Sequence, residues 1–190
     1  MKGIILAGGN GTRLNPLTSA TSKQLLPIYD KPLIFYPLVT LMELQIKDIA
    51  IIVKSSEQKR FFSLLGNGQK FGINITYLIQ DNANGLAEAF VIAEHFIGTS
   101  NVTLILGDNI FYGDSLKLSL SKKFESGATI ACCKVKDPER YGVARVKDGV
   151  VLEIIEKPTK YISNFAVTGI YVYDNSCLLY TSDAADEEDS

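Results

Sequence analysis

The sequence predicts an α/β domain built on a Rossmann-like, mostly parallel sheet with helices on both faces. Three observations predict it. Short apolar runs alternate with stretches of helical spacing from the first residues onward, which is the signature of repeated βα units. Runs such as Ile49–Val53 are apolar at consecutive rather than alternate positions, as in strands covered on both faces. Glycines and polar residues then fall directly after those runs, at Gly8–Arg13, Gln80–Gly85 and Gly107–Asn109. Open α/β sheets bind their ligands there, beyond the carboxyl ends of the strands.

The elements follow in order. Lys2–Ala7 predicts a buried strand ending in glycines, and Leu33–Leu44 carries helical spacing. Asp48–Val53 is a β-branched strand, and Glu57–Leu65 is a helix stopped by Gly66. Ile73–Gln80 alternates as a strand through Ile75, Tyr77 and Ile79, and Leu86–Phe96 is a helix. Val102–Leu106 and Thr129–Val135 are strands, with a helix over Ser115–Phe124 between them. Gly142–Val146, Val151–Glu156 and Val167–Tyr173 are strands separated by turns such as Asp148-Gly149. This last run of strands predicts an antiparallel extension or an insertion.

Composition narrows the function. The chain has 190 residues, 46% hydrophobic and 21% charged, with a net charge of −2, which suits one domain and excludes a basic nucleic-acid surface. Setting aside the five acids of residues 176–190 leaves 16 acidic residues against 19 basic ones, a mildly basic body that suits small anions. No apolar run reaches the length of a membrane span, and Ile4-Ile5-Leu6-Ala7 is too short for a signal peptide. The thiols Cys132, Cys133 and Cys177 imply no disulfide framework and fit a reducing cytoplasm. His95 is the single histidine, which leaves no room for a histidine-based triad or a multi-histidine metal site.

Two motifs carry phosphate chemistry. In Leu6-Ala7-Gly8-Gly9-Asn10-Gly11-Thr12-Arg13-Leu14, glycines after a strand let backbone N–H groups approach a phosphate, and Arg13 can clamp its oxygens. A tight turn with a solvated arginine is the plainer reading of the same residues. A dinucleotide fingerprint is excluded by Leu14 at the third glycine position, and a Walker A loop by the lack of any Gly-Lys pair. Ser22-Lys23-Gln24-Leu25-Leu26-Pro27 follows and can bring a second cation to the same phosphates.

Together these motifs resemble the signature of glucose-1-phosphate thymidylyltransferases, within the wider nucleoside-diphosphate-sugar pyrophosphorylase family. The resemblance runs from Met1 to about Asn175 and implies the nucleotide-diphospho-sugar transferase fold. It also implies joining of dTTP to glucose 1-phosphate with release of pyrophosphate, with Mg²⁺ as cofactor. Gln80 with Asn84-Gly85-Leu86 resembles the base-reading segment, where a glutamine amide can pair with the N3–H and O4 edge of thymine or uracil. Asp108, in Leu106-Gly107-Asp108-Asn109, is the implied metal ligand, a hard oxygen donor straight after a strand. Gly142, Glu156 and Lys157 are the implied contacts of the sugar phosphate, and Val167-Thr168-Gly169 resembles the segment that closes over the glucose. The implied catalytic set is Arg13, Lys23, Asp108 and Lys157. The implied substrate contacts are Gly8, Gly9, Gly11, Thr12, Gln24, Gln80, Gly85, Leu86, Asn109, Tyr141, Gly142, Glu156 and Val167. The nucleophile, a phosphate oxygen, is already ionised, so no general base is needed. A UTP-dependent uridylyltransferase and a non-catalytic nucleotide-sugar binding module remain open as alternatives. The resemblance further implies a cytoplasmic homotetramer that feeds deoxyhexose and polysaccharide synthesis, without nucleic acid or membrane partners.

The likeness stops at residue 176. Residues 176–190, from Ser176 through Cys177-Leu178-Leu179-Tyr180 to the acidic end, resemble translated sequencing-adaptor sequence. They are expected to be a disordered, non-family tail on a domain of residues 1–175 that is truncated at its C-terminus. The expectation for a chain ending there is weak stability and little or no turnover.

Overall fold

The computed structural model describes residues 1–9, 11–82, 85–113 and 126–177. Its core is an eight-stranded sheet. The first four strands in space are parallel: β1 (Lys2–Leu6), β4 (Asp48–Val53), β5 (Asn74–Ile79) and β6 (Val102–Leu106) stand in the order β5-β4-β1-β6. Then β10 (Phe165–Tyr173) joins β6 antiparallel and also pairs with β7 (Ala128–Lys134). The hairpin of β8 (Gly142–Lys147) and β9 (Val150–Glu156) completes the sheet through β10. The expected antiparallel extension is therefore part of the same sheet.

Alternation along the central strands builds two cores. Ile5, Ile49, Ile51, Val53 and Ile105 face one side, against Ile34, Leu38 and Leu41 around α1 (Phe35–Glu43) and Phe61 and Leu65 of α2 (Gln58–Leu65). Ile4, Ala50, Ile52 and Leu104 face the other side, because successive side chains of a strand point to opposite faces. There they meet Ala89 of α3 (Leu86–Ile92), Ala93, and Ile97 of α4 (Glu94–Ile97). Gly3 permits the close approach of α1, since a Cβ at that position would stand 2.8 Å from Leu41 Cδ1.

Two details of secondary structure differ from the sequence-based expectation. The helix expected over Leu86–Phe96 is divided at Ala93 into α3 and α4. Before α1 the chain forms a two-stranded hairpin, β2 (Pro27–Ile28) with β3 (Lys31–Pro32). The expected helix over Ser115–Phe124 and residues 178–190 of the expected tail lie outside the described residues, whereas Ser176 and Cys177, expected to be disordered, are described and bond to Asp174. Among the described residues no helix is long and apolar enough to cross a membrane.

β1 is the point where the strand order reverses, with β4 on one side and β6 on the other. The crevice beyond the carboxyl ends of β1 and β6 is the binding position that such a switch creates.

Candidate active site at the switch point

Strand register aligns the site. Leu6 is opposite both Ile52 and Leu106, and Ile52 is opposite Leu78. Two residues further along each strand stand Gly8, Lys54, Gln80 and Asp108. Main-chain bonds extend the alignment past the strand ends: Ala7 N–H donates to Ile52 O at 2.8 Å, Gln80 N–H to Val53 O at 2.9 Å and Gly107 N–H to Leu6 O at 2.9 Å.

The nucleotide-reading candidates meet beside Gly8. A Cβ on Gly8 would stand 3.4 Å from both the carbonyl oxygen and Oε1 of Gln80. The Gln80 side chain is buried and its Nε2 donates to Glu88 on α3. Gly85 precedes α3, and Leu86 opens that helix partly exposed.

The phosphate candidates meet beside Asp108. Lys23 lies on a short 3-10 turn, Lys23–Leu25, and its Nζ is 2.7 Å from Asp108 Oδ2. Gln24 on the same turn is buried and accepts the Ser22 hydroxyl at 2.5 Å. Gly11 sits against this turn, where a Cβ would stand 3.3 Å from Lys23 Cβ. Gly9 and Thr12 lie in the same segment, Thr12 and Arg13 on a second 3-10 turn over Thr12–Leu14. Arg13 is exposed. Asn10 and Asn84, the remaining polar members of these segments, lie outside the described residues.

The sugar-phosphate candidates surround a separate cleft of about 530 Å³ lined by Leu86, Asn109, Tyr141, Gly142, Glu156 and Val167 among others. Its origin is topological. β6 and β8 both pair with the same edge of β10, β6 along Ile170–Tyr173 and β8 at Ala166, and the cleft opens where one neighbour gives way to the other. Glu156 packs against Gly142, where a Cβ would stand 2.9 Å from Glu156 Oε2. Lys157 does not line the cleft. It follows β9 with φ of 44°, its N–H donating to Tyr141 O at 2.9 Å and its Nζ 3.8 Å from Glu156 Oε1.

Sequence reasoning anticipated the segment Val167–Gly169 but missed the lining residues Cys133, Val135, Ala166 and Tyr171. Asn109 Nδ2 donates to Thr168 O, which ties the end of β6 to β10. The one legible signal was Gly169 within an otherwise continuous strand pattern, which marks a bulge. The bulge is present, as a register shift between Val167 and Tyr171.

A glycine-rich loop, the buried Gln80 amide, the Lys23–Asp108 pair and a cleft beside β10 thus stand together at the carboxyl ends of these strands. The family model "Nucleotidyl transferase" matches residues 2–190, and the chain belongs to that family. It is 52% identical over 178 residues to a glucose-1-phosphate thymidylyltransferase of Neisseria meningitidis, covering 92% of this chain and 62% of that protein. The enzyme of the same name from Mycobacterium tuberculosis is 51% identical over 181 residues, with 94% and 62% covered. The chain thus spans about 62% of the length of these curated relatives. A Bacillus anthracis structure described as a glucose-1-phosphate thymidylyltransferase in complex with sucrose superposes with a TM-score of 0.87 at 42% identity, covering 95% of this chain and 74% of that one. A UDP-glucose pyrophosphorylase complexed with UDP-glucose superposes at 0.78 with 27% identity, covering 95% and 78%.

Proposed function

We propose that the protein from which this chain comes joins dTTP to glucose 1-phosphate, giving dTDP-glucose and pyrophosphate. The observation that carries the proposal is the register that puts Gly8, Gln80 and the Lys23–Asp108 pair along one crevice. The identity of about half to glucose-1-phosphate thymidylyltransferases supports thymidine over uridine.

In this reading a phosphate oxygen of glucose 1-phosphate bonds to the α-phosphorus, and the bond from that phosphorus to the bridging β-oxygen breaks. The electron pair leaves with pyrophosphate. The nucleophile is already an anion, so the side chains position and neutralise. Arg13 and Lys23 meet the triphosphate, and Lys157 meets the sugar phosphate. Gln80, with Nε2 committed to Glu88, offers Oε1 to the pyrimidine N3–H. Glu156 and Asn109 line the cleft and hold sugar hydroxyls.

The donor chemistry fits a magnesium ion at Asp108. Among the described residues no group of three or more His, Cys, Asp or Glu gathers. Magnesium, however, is commonly held by one or two carboxylates with phosphate oxygens completing its shell. Bound there, it would neutralise the charge on the transferring phosphate.

The test is pyrophosphate release from glucose 1-phosphate and magnesium with dTTP or UTP, using a chain extended to its relatives' length. Faster release from dTTP is expected. No release with either nucleotide would refute the proposal.

A further inference from the structure

We infer that Glu57 and Arg60, at the start of α2, clamp the backbone of residues 20–22 and thereby position Lys23 and Gln24 for the nucleotide. The inference rests on the reading of Lys23 and Gln24 as parts of the nucleotide site.

The clamp grips both kinds of main-chain group. The Ser22 N–H donates to Glu57 Oε2 at 3.1 Å. Arg60 donates to Ala20 O and also to Glu57 Oε1, the latter at 3.0 Å. Every polar group of Ser22 is then engaged. Its carbonyl accepts Leu25 N–H at 3.0 Å, closing the turn that carries Lys23, and its hydroxyl donates to Gln24 Oε1 at 2.5 Å. One residue on, Lys23 reaches Asp108 at 2.7 Å. A contact on α2 is relayed through one serine to the cation at the switch point.

Packing does not replace this tether. Residues 18–22 border a cavity of about 410 Å³ whose far wall includes Lys54, Ser56, Glu57 and Arg60. The strap of residues 18–22 therefore borders open space on that side, with Ser19 and Ala20 exposed. Glu57 carries the larger share, because its side chain is only 16% exposed while that of Arg60 is 52% exposed. Water competes less for the shielded carboxylate.

Three variants of the 190-residue chain test the clamp: Glu57→Ala, Glu57→Gln and Lys23→Ala. Two readouts are taken, amide hydrogen exchange at residues 20–24 without ligand and calorimetric affinity for dTTP. Glu57→Ala is expected to raise exchange at residues 20–24 and weaken dTTP about tenfold, the scale of one lost hydrogen bond to a charged group. Glu57→Gln keeps an oxygen acceptor for Ser22 and is expected to recover most of both. Unchanged exchange at residues 20–24 in Glu57→Ala, or failure of Glu57→Gln to recover either property, would overturn the clamp. Lys23→Ala with full dTTP affinity would instead sink the nucleotide-site reading, and the exchange result would still decide the clamp.

Discussion

Gly169 sits in β10 with φ of 73°, where the register to β7 shifts. A Cβ there would press on Asn109 Nδ2 and stand 2.7 Å from Leu106 Cδ1 and 3.0 Å from Leu106 Cγ. Gly169→Ala therefore adds two costs. Left-handed backbone carrying a Cβ costs about 1–2 kcal/mol. Displacing Leu106 and Asn109, whose amide is tied to Thr168 O, costs about 1–3 kcal/mol more, the usual range for overpacking. Gly149 separates the two terms. It lies in the β8–β9 turn with φ of 81° and nothing within 4 Å of an added Cβ, so Gly149→Ala meets only the backbone cost. The difference between the variants is the overlap term. With a urea m-value of about 2 kcal/mol/M, Gly169→Ala should unfold about 0.5–1.5 M earlier than Gly149→Ala. Glucose 1-phosphate binding should weaken in Gly169→Ala alone, because Gly169 lines the cleft. Midpoints that agree within about 0.2 M would show that close packing at Gly169 does not shape this wall.

Arg13→Ala removes an exposed cation, so in an extended chain the unfolding midpoint should hold while turnover falls about 10²–10³-fold; unchanged turnover would remove Arg13 from the mechanism. Phe61→Ala empties a fully buried site between α2 and the sheet and should cost about 3–5 kcal/mol in chemical denaturation. A loss below about 1 kcal/mol would contradict the packing described. Two carboxylates should contribute to acid stability. Ser55 N–H and hydroxyl hold Asp81 below the usual carboxylate range. The Gly127 N–H, with Ser176 and the Cys177 N–H, holds Asp174 well below it. Since the folded pKa values are the lower ones, this stability is complete above the unfolded carboxylate value, about 4, and is lost as pH falls through the folded values. Asp174→Asn should lose less stability between about pH 4 and 2 than the parent chain does, and parallel acid curves would refute the assignment.

Strand and helix existence was legible because the central strands are covered on both faces. Ile49–Val53 and Val102–Ile105 are buried at every position, and only a doubly covered strand needs such a run. The β2–β3 hairpin escaped because its strands are two residues long and hold Pro27 and Pro32, residues that read as strand breakers. The site was legible as a set of motifs but not as a geometry. Lys23 and Asp108 are 85 residues apart in the chain, and no local pattern tells that they touch. The cleft was less legible still, because it depends on β6 and β8 sharing one edge of β10, a pairing that each strand's own pattern leaves open. Glu57 was read only as the start of a helix, since its partner is a main-chain N–H and a backbone group has no residue type to read.

The Lys23–Asp108 pair has a property that suits a site for highly charged ligands. Its side chains are 31% and 34% exposed, and an ion pair that open to water contributes on the order of 0–1 kcal/mol. Separating it therefore costs little, whereas breaking a buried pair would cost about 3–5 kcal/mol. A triphosphate offers Lys23 a richer anion than one carboxylate. A divalent cation arriving with the nucleotide, as proposed, would offer Asp108 a stronger partner than an ammonium. In that exchange neither side chain is left uncompensated, and the two charges are already at the switch point before the ligand arrives. A lone Asp108 would repel the phosphates that the proposed reaction brings to it. The clamp on Ser22 matters for the same reason: a pair this weak does not fix its own position, so the strap that carries Lys23 has to be held from elsewhere.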